Sequence, residues 1–305
     1  MDKEEEKLLK KILPNKYESA DAYNIRLNGS GILRKVNEYI NIESREDGQG
    51  INVYVKDNTS NGVVDIPVLV SKSGMTDIVY NDFFIGKNSN VTIVAGCGIS
   101  NHGHKDSAHN GIHRFFIEEN SNVKYYEVHY GEGNGEAKRI LNPTTEVILG
   151  DNSTMVMETA QIKGVDDANR VTKAVLNENS KLTINEKIYT SNNQNAKTMF
   201  EVLLKGNKSS AHVVSRSVAE DESNQTFESN MIGEADCYGH VECDAIIKDN
   251  ARVKSIPEID AACVDATLVH EATIGKIAGD QFIKLMSLGL SAREAEKAII
   301  DGFLK

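Results

Sequence analysis

The 305-residue chain has no tryptophan, four prolines and four cysteines: Cys97, Cys237, Cys243 and Cys263. None of the cysteines forms a CxxC pair, so neither a zinc ribbon nor a thioredoxin-type site is indicated. No apolar run approaches the roughly 18 residues that a membrane-spanning helix needs, and no membrane association is expected. The opening Met1-Asp2-Lys3-Glu4-Glu5-Glu6 lacks the basic and apolar segments of a secretory leader, so a cytoplasmic setting is expected. There, cysteines are expected as thiols or metal ligands rather than disulfides. Positive charge is also short. With 34 Lys+Arg against 45 Asp+Glu the net charge is −11, and the chain offers no broad counter-charge to nucleic-acid phosphates. Walker A, HExxH and GxSxG segments are missing, as is a GxGxxG after a strand, so the chain does not itself read as an ATPase or a familiar hydrolase. No groove of carboxylates and aromatics of the kind a polysaccharide-cleaving β-helix needs stands out.

What is present is a globular composition, 40% apolar and 26% charged, with length enough for about two domains. A turn-then-strand unit recurs through the middle. It reads Gly86-Lys87-Asn88-Ser89-Asn90-Val91-Thr92-Ile93, then Glu118-Glu119-Asn120-Ser121-Asn122-Val123-Lys124-Tyr125. It returns at Gly150-Asp151-Asn152-Ser153 and Asn177-Glu178-Asn179-Ser180, with weaker copies at 206–213 and 248–253. The Asn-Ser steps are spaced by 32, 32 and 27 residues. Asn, Asp and Gly make the corner, and the alternating stretch that follows turns one face inward. Repeats of this length imply stacked coils around one core, so the expected fold is mainly β, a β-solenoid; a two-sheet sandwich is the structural alternative.

The ends differ. The first dozen residues read as a helix burying Leu8, Leu9 and Ile12, with Glu4, Glu5 and Glu6 at its positive end. Residues 31–73 look like strands, with Gly48-Gln49-Gly50 turning into the alternating Ile51-Asn52-Val53-Tyr54-Val55. Near the other end, Phe282, Leu285 and Met286 have helical spacing, and Gly289 breaks it. Ser291-Ala292-Arg293-Glu294 is a capping box that opens a second helix with Ala295, Ala298, Ile299 and Phe303 as its apolar stripe. The expected division is 1–75 as an N-terminal helix and strand region, 76–277 as the solenoid and 278–305 as a helical hairpin. That hairpin either caps the last coil or docks a partner, with Phe282, Leu285, Met286, Ile299 and Phe303 as the docking residues.

Two groups carry ligand-type side chains. Cys97, His102, His104, His109 and His113 fall in one window interleaved with Gly96, Gly98, Gly103 and Gly111, which reads as a flexible loop able to wrap an ion or as a polar turn. The second group is Cys237, His240, Glu242, Cys243, Cys263, His270 and Glu271. Cys243 and His270 are 27 residues apart, one repeat interval, which would set a thiolate and an imidazole on adjacent coils. Glu271 would face the opposite side. The plain alternative is a buried Cys packing as a small hydrophobe and a hydrogen-bonded His.

The stretch His270-Glu271-Ala272-Thr273-Ile274-Gly275-Lys276-Ile277, continued by Asp280-Gln281-Phe282 and Met286-Ser287-Leu288-Gly289-Leu290-Ser291, resembles the SufB/SufD family of iron–sulfur cluster assembly proteins. Glu242-Cys243-Asp244-Ala245 and Ile256-Pro257-Glu258-Ile259 are similar to that family's Cys-Asp strand and the Pro-containing strand after it, so the resemblance covers 76–305. It implies a right-handed parallel β-helix and a non-enzymatic scaffold, a homodimer or a SufB/SufD-type heterodimer. It also implies a SufC-like ABC ATPase bound through the C-terminal helices, ATP entering only through that partner, and a transient Fe–S cluster built at the dimer interface. Residue by residue, Cys243 matches the SufB interface cysteine, His270 the interface histidine of both proteins, and Glu271 the adjacent acidic residue of SufB. Val269 stands where SufB commonly has Glu. His129, after Tyr125-Tyr126-Glu127-Val128, stands where SufB carries an interior cysteine, and imidazole cannot carry a persulfide. The competing readings are a metal-dependent β-helix enzyme using 97–113 and an inert solenoid that only binds partners.

Overall fold

The computed structural model describes residues 1–13, 15–134, 136–162 and 164–305. From residue 50 the chain winds through about eight coils, each crossing from one parallel sheet to a second and back. The first sheet runs through Gly62–Asp65, Asn90–Ser100, Asn122–Glu132, Thr154–Ile162, Lys181–Thr190, Ser210–Ala219, Tyr238–Ile247 and Thr267–Gly275. The second runs from Gly50–Val55 through Thr76–Ile85, Ser107–Ile117, Asp167–Leu176, Asn195–Leu204 and Asn224–Gly233 to Arg252–Ala261. One of its strands is split into Arg139–Leu141 and Thr144–Leu149, because Pro143 has no N–H to give the ladder. The fold is thus the parallel stacked solenoid that the repeat predicts.

Side chains alternate along the strands of the inner coils, inward ones buried and outward ones half-exposed, as in Lys181–Thr190. Inward residues of successive coils stack into one core of Val, Ile, Leu, Phe and Met. Phe83 and Phe115, in register on neighbouring strands, stack at 4.5 Å with both rings fully buried. Such an aromatic pair contributes about 0.5–1.5 kcal/mol beyond its burial.

The corners explain the repeated sequence. Asn88, Asn120, Asn152 and Asn179 all adopt a left-handed backbone, with φ between 52° and 58°, which asparagine tolerates better than most residues. They lie on one edge in register: Asn88 N–H donates to Glu119 O, Asn120 to Asp151 O, Asn152 to Glu178 O and Asn179 to Asn207 O, at 2.8–3.1 Å. Ser89, Ser121, Ser153 and Ser180 are buried beside them and donate their hydroxyls to corner carbonyls. The weak copy at 206–213 continues this edge, Lys208 N–H donating to Asp236 O. The copy at 248–253 does not: Asn250 N–H donates to Asp221 O on the opposite edge, where Asn192, Asp221 and Asp249 hold the positive φ.

The two ends are finished differently. At the start, Ala22–Leu27 with Ser30–Lys35, and Ile40–Ser44 with Gly50–Val55, pair antiparallel and close the first coil. The helix Lys3–Ile12, capped by Asp2, lays Leu8, Leu9 and Ile12 on Ile25, Leu69 and Val94 on the outside of the first sheet. At the far end, Arg252–Ala261 and Thr267–Gly275 are edge strands, and the inward-facing Ile259 and Ile274 stay 44% and 39% exposed. The helices Gly279–Ser287 and Ala292–Phe303, the latter opened by the expected Ser291–Glu294 capping box, do not cover this end. They turn back along the outer face of the first sheet, where Ile300 packs on Val218 and Ile246 beside Tyr189. Of the two readings of this hairpin, the cap is therefore not seen among the described residues, and the last coil is open.

Candidate functional site at the open end

Along Tyr238–Ile247 the chain sorts its chemistry by face. Val241, Cys243 and Ala245 point into the core, and His240, Glu242 and Asp244 point out. Tyr238 sits opposite Thr267, so this coil is 29 residues long and the 27-residue spacing does not put Cys243 and His270 on one rung. Cys243 lies opposite Ala272, and His270 opposite Val241. Both belong to the inward face, two positions apart on neighbouring strands, a Cα separation of about 8 Å from strand geometry. Glu271 is opposite Glu242 on the outer face, as its alternation requires.

Cys243 is 2% exposed, and burial pushes its thiol up to about 11, offset only in part by Ser255 across the interior. His270 is half-buried, its Nε2 is enclosed without a hydrogen-bond partner, and burial, followed by nearby His240, disfavours its protonation. A neutral imidazole with a free nitrogen and a thiol that gives up its proton only to a strong competitor are suited to bind soft or borderline metal. Cys237 and Cys263 stand on the corners just before these two strands, Cys237 buried and Cys263 partly open.

The window 97–113 is not a loop. Cys97 sits inside one strand, His109 and His113 sit inside the next, and only His102 and His104 lie exposed on the corner between. Gly96 and Gly98 are strand residues with a packing role, since a Cβ at either would strike Ile12 or Leu8 of the N-terminal helix. The five side chains therefore do not converge. His102 Nδ1 meets Asn134 Oδ1 at 2.8 Å, while Cys97, His109 and His113 line an interior void of about 10 Å³ with Glu127 and His129, room for about one water.

That void belongs to a polar column inside the solenoid. Arg26 donates to Asp77 at 2.8 Å, Asp77 meets His109 at 3.1 Å, and His113 meets the Tyr125 hydroxyl at 2.8 Å. Arg170 pairs with Glu127, reaches His129 Nδ1 at 3.0 Å and lies 3.5 Å from Glu186. Burial pushes Glu127 up, but Arg170 and His129 outweigh it and hold the carboxylate well below its ordinary range. Glu186 accepts from Thr198 at 3.0 Å and from Ser215 at 2.8 Å, and Ser215 is the in-register neighbour of Cys243. The column thus ends one rung from the candidate thiol. Arg170 and Glu186 escaped sequence reading because a lone charge in an alternating strand resembles an outward one.

On the outer face behind Cys243, His212, His240 and Glu242 form the one grouping of three His, Cys, Asp or Glu residues among the described residues whose ligand atoms all lie within 4.8 Å of one another. Of the five expected docking residues, Met286 is exposed and Phe282, Leu285, Ile299 and Phe303 are half-buried, Phe303 beside the Ile246–Ile300 contact. A surface groove of about 700 Å³ lies where the two helices meet the sheet, lined by Ile246, Ile277, Leu285, Ile299 and Phe303. Among the described residues no helix is long and apolar enough to cross a membrane.

Residues 71–303 match the family model described as SUF system FeS cluster assembly, SufBD core domain. The chain is 30% identical over 269 residues to an iron–sulfur cluster assembly SufBD family protein of Pyrococcus horikoshii, covering 86% of this chain and 79% of that one. A SufBD family protein of Archaeoglobus fulgidus is 27% identical over 279 residues, 90% of this chain and 73% of its own. One from Methanothermobacter thermautotrophicus is 26% identical over 231 residues, 74% of this chain, which spans about half, 54%, of that relative's length. Family model, relatives and stacked coils agree: the chain belongs to the SufBD family of iron–sulfur cluster assembly proteins.

Proposed function

We propose that this protein is a non-catalytic scaffold on which an Fe–S cluster is built between two SufBD-type subunits, using Cys243, His270 and Glu271. One observation carries the reading: the solenoid is closed at its start and open at its end, and Cys243 and His270 face inward on the last two coils of that open end. Unpaired edge strands with exposed Ile259 and Ile274 favour apposition of a second subunit. A two-fold arrangement doubles the thiol and imidazole, giving up to four soft or borderline ligands to iron and sulfide as incoming substrates. Cys243 supplies thiolate once iron displaces its proton, His270 offers its unpartnered Nε2, and Glu271 adds an oxygen from the outer face. The energy for opening such an interface would come from a SufC-like ABC ATPase seated on the C-terminal helices, where the groove beside Leu285 and Ile299 offers an apolar seat.

The test is anaerobic reconstitution of the full chain with ferrous iron and sulfide, followed by absorption spectroscopy. Cys243→Ser and His270→Ala are each expected to lose most of the cluster absorption. Spectra unchanged in both variants would contradict the assignment.

A further inference from the structure

We infer that His212, His240 and Glu242 form a binding site for one divalent first-row transition-metal ion on the outside of the first sheet. The site needs neither Cys243 nor His270, so it stands whether or not the cluster-assembly reading does. It is built by register: His212 lies opposite His240 on neighbouring strands, and their rings stack at 5.0 Å with 11° between planes. Glu242 follows two residues after His240 and so shares its face. Its Oε1 is 2.9 Å from His212 Nε2 and 3.7 Å from His240 Nδ1, so one carboxylate oxygen faces both imidazoles. On the next strand Glu271 brings a carboxylate oxygen to 3.6 Å from His240 Nε2.

Two observations favour an ion over a simple ion pair. Glu242 Oε1 engages His212 Nε2 at 2.9 Å but stops 3.7 Å from His240 Nδ1, beyond hydrogen-bond distance, so the carboxylate satisfies one ring and leaves a gap to the other that an ion would bridge. The rings are also parallel and adjacent, which brings one nitrogen of each within 4.8 Å of the other and of the carboxylate, a spread that a single ion spans. The donor set names the class. Two imidazoles and one carboxylate with open positions suit zinc, ferrous or cobaltous ions, and they are poor ligands for calcium or magnesium, which demand oxygen. The group holds no thiolate, and Cys243 points to the opposite face of the same strand.

The full chain carrying Cys243→Ser, which removes the thiolate of the candidate cluster site, is stripped with chelator and titrated with Co²⁺ as the probe. The expected result is one equivalent bound per chain with visible ligand-field absorption and no thiolate-to-cobalt charge-transfer band. His212→Asn and Glu242→Gln, conservative changes at partly exposed positions, should each weaken binding at least tenfold, and Zn²⁺ should displace the cobalt. Melting curves matching the parent establish that the variants fold; a variant that does not fold is replaced by His240→Asn. Absence of stoichiometric binding, or binding unchanged in His212→Asn and Glu242→Gln, would each overturn the site.

Discussion

At the scale of single residues, the corner asparagines illustrate how a local backbone demand becomes a readable signature. Asn120 is exposed, with φ of 58°, so its conservation of shape rests on the left-handed backbone rather than on packing. Asn120→Ala should cost about 1 kcal/mol in urea unfolding, and Asn120→Gly should cost little. Equal losses in the two variants would show that the side chain, not the backbone, is at issue. Asp65 tests burial. It is 5% exposed, and burial raises its pKa to about 6, above an unfolded value near 3.9. A raised carboxyl contributes its stability in full below the unfolded pKa and loses it as pH rises through about 6. Asp65→Asn should therefore stabilise the protein at pH 7–8 by on the order of 2–3 kcal/mol, with little effect near pH 4; a gain independent of pH would contradict the burial account.

At the scale of elements, legibility followed periodicity. The Asn-Ser corners, the Asp2–Ile12 segment and the Ser291 capping box were readable because each demands particular residues at fixed offsets. Both edges of the solenoid use the same Asn and Asp chemistry, so sequence alone could not say that 248–253 belongs to the far edge. Coil length was the second obstacle. The corner at 262–266 lengthens the last coil, which shifts His270 two places from Cys243, while His212, 28 residues before His240 and on one rung with it, falls outside the sequence group that holds His240 and Glu242. Glycine misled for a different reason: at 96 and 98 it makes room for a helix, not flexibility. The C-terminal helices carry exposed Ile283 and Leu288, at 65% and 74%, beyond the expected docking stripe. Replacing both by Glu should leave melting unchanged and weaken capture of a SufC-like ATPase at least tenfold in a pull-down; undiminished capture would place the ATPase elsewhere.

At the scale of the whole molecule, the solenoid is asymmetric: antiparallel hairpins close its start, while its end exposes strand edges beside a thiol and an imidazole. The interior polar column from Asp77 to Ser215 leads toward that open end, which gives the molecule a direction as well as an axis. Charge placed on the open coil should then disturb assembly without disturbing the fold, because Ile259 is already 44% exposed. The most direct measurement is light scattering coupled to iron analysis on the anaerobically reconstituted chain, parent beside Ile259→Lys. The account predicts iron and sulfide travelling with a dimer in the parent, and a cluster-free monomer in Ile259→Lys. A full cluster complement on a monomer, in either protein, would contradict it.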